Sequence, residues 1–252
     1  MSDGPRLPPW YRLITLEKVD STNAEARRRA EAGAAEGTLI RAVRQTAGRG
    51  RRGRRWASPP GNLYLSLILR PELPLCEAAL MTFLAALALG DALAESVPPM
   101  TDISLKWPND VLVNLRKVAG ILLESSLRAD GRLDWLVIGV GVNVAHFPED
   151  ADYPATSLHF EGAEAVTVDQ VMAAFARHFL RWSDDWRHRG FAPAREAWLA
   201  RATGVGGEVR VRLGSESFTG RFLDLDPSGA LLVELEGGAR RQVTAGDVFP
   251  VS

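Results

Sequence analysis

Apolar and polar positions along the chain change period several times, and the changes mark the elements. Residues 13–19 read as a short strand, and residues 38–44 alternate at period two as a second. Residues 62–69 (Asn-Leu-Tyr-Leu-Ser-Leu-Ile-Leu) and 134–143 are nearly unbroken apolar runs, which predicts largely buried strands. Residues 103–106 look like a strand end that feeds a corner at Pro108. Residues 111–113 and 118–124 pair as a hairpin around Asn114-Leu115-Arg116. A helix opens at Asp20-Ser21-Thr22-Asn23, with Thr22 and Glu25 at capping-box spacing and Gly33 as its stop. Read alone, Ser21-Thr22-Asn23 is a helix cap and nothing more. Residues 75–96 predict one apolar helix, ended by Pro98-Pro99. Residues 146–166 are polar, carry Pro148 and Pro154, and read as an irregular loop. Thr167 and Gln170 repeat the capping-box spacing ahead of a long helix. Its stripe Val171, Phe175, Phe179, Trp182 and Trp186 has helical period and belongs to the core. Gly190 ends it, and residues 193–201 form a shorter helix.

At Gly204-Val205-Gly206-Gly207 the pattern shifts to five short strand candidates, 208–213, 217–222, 230–235, 240–244 and 247–251. Turn residues at Gly214-Ser215, Asp226-Pro227-Ser228-Gly229 and Gly237-Gly238 separate them. The chain divides on this reading into residues 1–203 and a small all-β barrel of SH3-like size over 204–252. No internal repeat is visible.

Composition narrows the function classes. The 252 residues are 46% hydrophobic and 24% charged, ordinary for a soluble globular protein. Net charge is -1, so no global basic field draws the chain to nucleic acid or membrane. Cys76 is the only cysteine, which excludes an internal disulfide and a cysteine metal cluster. Met1 to Pro9 has no signal-peptide pattern, and the most apolar run, 78–89, is too short to span a bilayer. A cytoplasmic protein is expected. Only three of the 30 basic residues are lysine (Lys18, Lys106, Lys117); the rest are arginine. A lysine here stands where a compact ammonium is wanted.

The most unusual stretch is Gly48-Arg49-Gly50-Arg51-Arg52-Gly53-Arg54-Arg55-Trp56. Its glycines forbid a stable helix and let the backbone approach a ligand. Its arginines are forked, permanent donors for phosphate or carboxylate. The spacing matches the dinucleotide fingerprint, but that motif must open a helix. Here Pro59-Pro60-Gly61 follows. No kinase signature or Walker lysine accompanies the glycines. Two functional readings remain: an arginine-rich nucleic-acid segment with Trp56 as a stacking platform, and a loop that wraps an anionic small molecule. A solvated charge run is the bland alternative.

Other segments decide between them. Ser21-Thr22-Asn23, Gln45-Thr46-Ala47-Gly48-Arg49-Gly50-Arg51-Arg52-Gly53, Lys106-Trp107-Pro108-Asn109-Asp110, Lys117-Val118-Ala119-Gly120-Ile121-Leu122 and Gly139-Val140-Gly141-Val142-Asn143 occur in this order. Together they closely resemble biotin protein ligase, over essentially the whole chain from about residue 12. The resemblance implies an α+β fold: a mixed β-sheet with flanking helices, related to class II aminoacyl-tRNA synthetase catalytic domains, plus the small C-terminal barrel. It implies an ATP-dependent, AMP-forming ligase that makes biotinyl-5′-AMP and transfers biotin to a lysine of a biotin carboxyl carrier protein, as in acetyl-CoA carboxylase. Carried over by match, Ser21, Thr22 and Asn23 line the biotin pocket, with Gln45 beside the ring. Arg49, Gly50 and Arg51 order over biotin and its adenylate. Arg54 reaches the ATP phosphates and Trp56 covers the adenine. Lys117 holds the biotin carboxylate and a phosphate oxygen. Asn109 and Asp110 bind nucleotide and Mg²⁺, and Asn143 faces the ribose or base. Lys117, Arg49, Arg51 and Asp110 are the expected catalytic set. The family also implies a homodimer paired through the catalytic sheet. Bifunctional members carry a helix-turn-helix domain before the Ser-Thr-Asn segment. With only about twenty residues ahead of it, a plain ligase without DNA binding is expected. Lipoate ligase or octanoyl transferase is the neighbouring reading, and an RNA-binding module the distant one.

The implied chemistry suits these residues. A carboxylate is already ionised at pH 7, so its attack on the α-phosphate needs no general base. It needs cations that gather like charges, namely Arg49, Arg51, Arg54, Lys117 and Mg²⁺. None of the four histidines lies in a motif. The second step needs a neutral acceptor amine, and Asp110 is the expected acceptor of its proton. Gly139 and Gly141 suggest close approach by a ligand or another backbone.

Overall fold

In the computed structural model, residues 6–151 and 153–251 are described. The reading of Met1 to Pro9 therefore lies, for residues 1–5, outside the described residues. Among the described residues no helix is long and apolar enough to cross a membrane.

Seven strands form one mixed sheet: β1 (Arg12–Val19), β2 (Thr38–Gln45), β3 (Leu63–Leu69), β4 (Ile103–Lys106), β5 (Asp110–Val113), β6 (Arg116–Leu127) and β7 (Leu133–Val142). Their order is β1-β2-β3-β7-β6-β5-β4. β1 and β2 pair parallel because helix α1 (Thr22–Glu31) carries the chain back between them. The other neighbours pair antiparallel. On one face α1 sets Ala26 and Ala30 against Ile40, Ile68, Trp135 and Val137. Two alanines let the helix lie close to the sheet. The opposite face is covered by α3 (Met81–Ala94), α4 (Val168–Arg189) and α5 (Ala192–Leu199). There Leu84, Leu87, Phe175, Phe179 and Trp198 pack on Leu39, Leu65, Leu67 and Ile138. With both faces covered, all seven residues of β3 are buried, which is why its sequence reads as an unbroken apolar run.

The capping box at Thr167 forms as its spacing predicts, and α4 starts there. The helix expected over 75–96 is two pieces, α2 (Leu75–Ala78) and α3. Between them, Leu80 N bonds Glu77 O, Thr82 N bonds Ala79 O, and Phe83 N bonds Leu80 O. These tighter i→i−3 bonds interrupt the α ladder, and no periodicity argument sees them.

The C-terminal strands β8 (Glu208–Leu213), β9 (Glu216–Leu225), β10 (Leu231–Glu234), β11 (Arg240–Val243) and β12 (Asp247–Pro250) form an antiparallel sheet in the order β11-β10-β9-β8-β12. The sequence reading expected a closed barrel, and that expectation is wrong. β11 and β12 stand at opposite edges with no ladder between them among the described residues. Each has four residues, and β12 pairs with β8, Val248 opposite Val211. The open sheet does not need closure to bury its apolar face. Val209, Val211, Phe222, Leu231, Val233 and Val248 join the main core. Trp107 Nε1 donates to Gly229 O at 3.1 Å, and Arg195 Nε donates to Leu225 O at 2.7 Å. The small sheet is thereby docked beside the corner that ends β4.

Candidate functional site

The positioning begins at the start of α1. Ser21, not Thr22, is the N-cap residue, and no side chain caps the helix. The hydroxyl that spacing assigned to a capping box serves the interior instead. Gln45 Oε1 accepts from Thr22 N at 2.7 Å and from Thr22 Oγ1 at 3.1 Å. Ser66 Oγ stands 2.6 Å from Asn23 Oδ1 and 2.9 Å from Thr22 Oγ1. Gln45 Nε2 donates to Ser58 Oγ, which donates in turn to the carbonyl of Trp56. A neutral network thus ties α1, β2 and β3 to the chain that leaves the glycine-arginine loop. Sequence reasoning assigned Ser66 no role. Its signal was present: it is the one serine in a buried strand that is otherwise apolar apart from the phenol of Tyr64, and a buried polar group needs a partner.

The glycine-arginine loop folds back on itself. Arg49 and Arg55 form an antiparallel bridge, Gly50 N bonds Arg54 O, and a single 3₁₀ turn spans Arg51–Gly53. Trp56 lies on the sheet between two glycines. A Cβ at Gly141 would fall 2.7 Å from Trp56 Cε2, and one at Gly120 would lie 3.3 Å from Cζ3. A Cβ at Gly139 would fall 2.1 Å from Asn23 Oδ1. The close neighbours of Gly139 and Gly141 are therefore side chains of this chain. Trp56 Nε1 is buried without a hydrogen-bond partner.

Opposite the loop, Asp110 lies between two ammonium groups. Its Oδ1 is 2.5 Å from Lys117 Nζ and its Oδ2 is 2.9 Å from Lys106 Nζ. Burial alone would push this carboxyl up, but Lys117 and Lys106 outweigh it and hold it down at about 2. Lys106 also faces the rings of Tyr153 and Phe249, 5.0 and 5.7 Å from their centroids. Lys117 is fixed at its backbone. Its N donates to Pro154 O, and Thr156 N donates to its carbonyl. Asn143 Nδ2 donates to Thr156 O at 3.0 Å, so its amide secures the loop that secures Lys117. Asn109 Nδ2 donates to Ile121 O at 2.6 Å, while its Oδ1 accepts from Arg51 Nη1 at 3.2 Å.

These groups surround one cavity of about 380 Å³. Ser21, Thr22, Asn23, Gln45, Arg49, Gly50, Arg51, Arg54, Trp56, Asn109, Asp110, Lys117 and Asn143, the residues singled out from the sequence, all line it. Lys106, Tyr153, Asp247 and Phe249, to which the sequence gave no role, line it as well. Asp247 and Phe249 come from β12, so the small sheet supplies part of the wall. Six cationic side chains and three carboxylates face the space, and no histidine does among the described residues. That balance fits an anion-rich ligand better than proton-transfer chemistry by imidazole. Among the described residues no group of three or more His, Cys, Asp or Glu is placed to hold a metal. Both oxygens of Asp110 already carry ammonium partners, so the wall offers no protein-built metal cage.

Known proteins resemble this chain along most of its length. Residues 54–200 match the Biotin/lipoate A/B protein ligase family, and residues 205–249 match the Biotin protein ligase C terminal domain. A biotin–[acetyl-CoA-carboxylase] ligase of Paracoccus denitrificans is 44% identical over 240 residues, covering 93% of this chain and 98% of the relative. The bifunctional ligase/repressor BirA of Bacillus subtilis is 37% identical over 238 residues, covering 92% of this chain and 72% of the relative. Among solved structures, biotin protein ligase from Aquifex aeolicus in complex with biotin and ATP superposes with a TM-score of 0.78 at 31% identity, over 94% of this chain and 97% of that one. With near-complete coverage of relatives at this identity, the chain belongs to the biotin protein ligase family.

Proposed function

We propose that this cavity binds biotin at its neutral end and ATP at its cationic end, and that the protein joins them before passing biotin to a carrier protein. The enzyme is an ATP-dependent biotin protein ligase. The supporting observation is the division of one cavity into two kinds of wall. Thr22, Asn23 and Gln45 line one part with an uncharged network, backed by the buried Ser66, suited to a ring with urea-like donors and acceptors. Arg49, Arg51, Arg54 and Lys117 face the other half, where carboxylate and phosphates must meet.

In the first step the biotin carboxylate attacks the α-phosphate and pyrophosphate leaves. Lys117, steadied by Asp110 and by the 154–156 backbone, is placed to hold both reacting anions. In the second step a neutral lysine amine of the acceptor attacks the mixed anhydride: the amide C–N bond forms, the acyl–phosphate C–O bond breaks, AMP leaves and the amine's proton passes to solvent. A biotin carboxyl carrier domain, as the Paracoccus relative's name suggests, is the proposed acceptor. Asp110 is a weak base with its carboxyl held near 2 and both oxygens engaged. We therefore assign it to orient Lys106 and Lys117 rather than to take the amine's proton. Mg²⁺ would be carried in on the nucleotide's phosphates, because the oxygens of Asp110 and Asn109 are already engaged by Lys106, Lys117 and Arg51. When bound, it would supply charge neutralisation.

The test is direct: labelled biotin, Mg-ATP and a carrier domain, scored for amide-linked label. Transfer to the carrier is expected. Label that appears only with lipoate or octanoate in place of biotin would overturn the substrate assignment.

A further inference from the structure

The arginine loop is held from the other sheet. Asp247 opens β12, and its side chain is 12% exposed. Its Oδ1 accepts from Arg54 Nη2 at 2.7 Å and lies 3.7 Å from Arg51 Nη1, while its Oδ2 lies 3.7 Å from Arg52 Nη1. The neighbouring carbonyl of Gly246 accepts from Arg51 Nη1 at 3.1 Å. The turn that brings the three arginines together puts Arg52 in the left-handed region, at φ 55 and ψ 31. For a residue with a side chain that conformation is strained. It persists where surrounding contacts over-determine it, and Asp247 is the acceptor these three side chains share.

The charge count sets the strength of this contact. One carboxylate cannot neutralise three guanidinium groups, so the folded loop stays strongly cationic and open to a further anion. Arg51 and Arg54 point to the same cavity wall as Asp247. A nucleotide's phosphates would therefore meet guanidinium groups already gathered and aimed, without displacing the loop from its anchor. By contrast, the pair Arg241–Glu216 joins strands within the small sheet and touches nothing in the cavity.

We propose that Asp247 is a positioning residue: it fastens the arginine loop over the cavity and presents Arg51 and Arg54 to the phosphates, so that the small C-terminal sheet governs how long the activated intermediate is retained. The proposal rests on the ATP-binding reading above for the identity of the anion, but not for the contact itself.

Asp247→Asn and Asp247→Glu are the variants, with limited trypsin digestion as the first measurement, on the protein alone and with biotin and ATP. Cleavage within residues 49–55 is expected to be about fivefold faster in Asp247→Asn in both states, the scale of a lost partly exposed ion pair. Asp247→Glu should recover most of the protection. Release of pre-formed adenylate should accelerate several-fold in Asp247→Asn, with the thermal midpoint unchanged. Equal cleavage of the loop in wild type and Asp247→Asn would overturn the proposal, as would faster cleavage of both variants throughout residues 208–250, which marks a merely structural role. Absence of adenylate in the wild type would sink the functional reading and leave the loop measurement intact.

Discussion

At one end of the cavity Thr22, Asn23 and Gln45, backed by Ser66, satisfy one another through uncharged hydrogen bonds on α1, β2 and β3. At the other, Arg51, Arg52 and Arg54 sit on a loop whose anchor is a carboxylate from a separate sheet. The first end is mostly buried, with Thr22, Asn23 and Ser66 shielded and Gln45 half-buried, and a shift would break its own network. The second rests on partly exposed ion pairs, each of modest strength, and keeps spare positive charge for an incoming anion. A rigid neutral end discriminates by shape and by the cost of an unpaired polar group. A movable cationic end handles charge that changes place during reaction. Lys117 stands between the two, so it should be the most sensitive position.

Substitution there tests the division most severely. Lys117→Met is expected to lower kcat/KM for ATP by about 10³, the scale seen when a transition-state donor is removed. Single-turnover adenylate formation measures it; a loss under tenfold would place the reacting anions elsewhere. Gly139→Ala should act on the neutral end alone. Its methyl would fall on Asn23, and such overpacking costs about 1–3 kcal/mol. Biotin affinity by calorimetry should drop accordingly while ATP affinity holds. An equal loss for both ligands would mean that the ends are not separable.

The acid behaviour of Asp110 sharpens the picture of the junction. Its carboxyl is held at about 2, below the ordinary value of 3.8. The stability it contributes is complete above the ordinary carboxylate range and is lost as pH falls through about 2. Thermal midpoints of wild type and Asp110→Asn should therefore differ by a constant amount from pH 7 to about 4 and converge below that. The difference corresponds to about 2 kcal/mol. A gap unchanged at pH 2 would show that the ammonium pairs do not set the carboxyl. A smaller effect is expected from Thr22→Val, which removes the hydroxyl's neutral contacts with Gln45 and Ser66 and should weaken biotin about fivefold. Thr167→Ala, remote from both ends, should cost about 1 kcal/mol of stability through its cap and leave biotin transfer unchanged.

Much of this was legible in the sequence, for identifiable reasons. The strands of the large sheet declare themselves because both faces of β3 are covered and its run is unbroken. Thr167 and Gln170 are read correctly because nothing competes for their side chains. Thr22 and Glu25 have the same spacing and are read wrongly, because Gln45, 23 positions away, takes the hydroxyl. Glu25 pairs instead with Arg28 and Arg29. Closure of the small sheet depended on whether β11 and β12 meet, which no local pattern encodes. Asp247 stayed hidden for a related reason. It is an ordinary acidic residue at the start of a short strand, and its meaning comes from a loop nearly two hundred positions earlier.

One consequence of how Trp56 lies remains for the bench. Its indole rests on bare glycine backbone, its N–H is unbonded, and the Lys117 ammonium sits 5.5 Å from a ring centroid. Indole emission responds to nearby charge and to new hydrogen bonds. An anion that draws Lys117 aside removes that charge from the ring, so a change in emission on adding biotin and ATP, present in wild type and lost in Trp56→Phe, is the expected outcome by stopped flow.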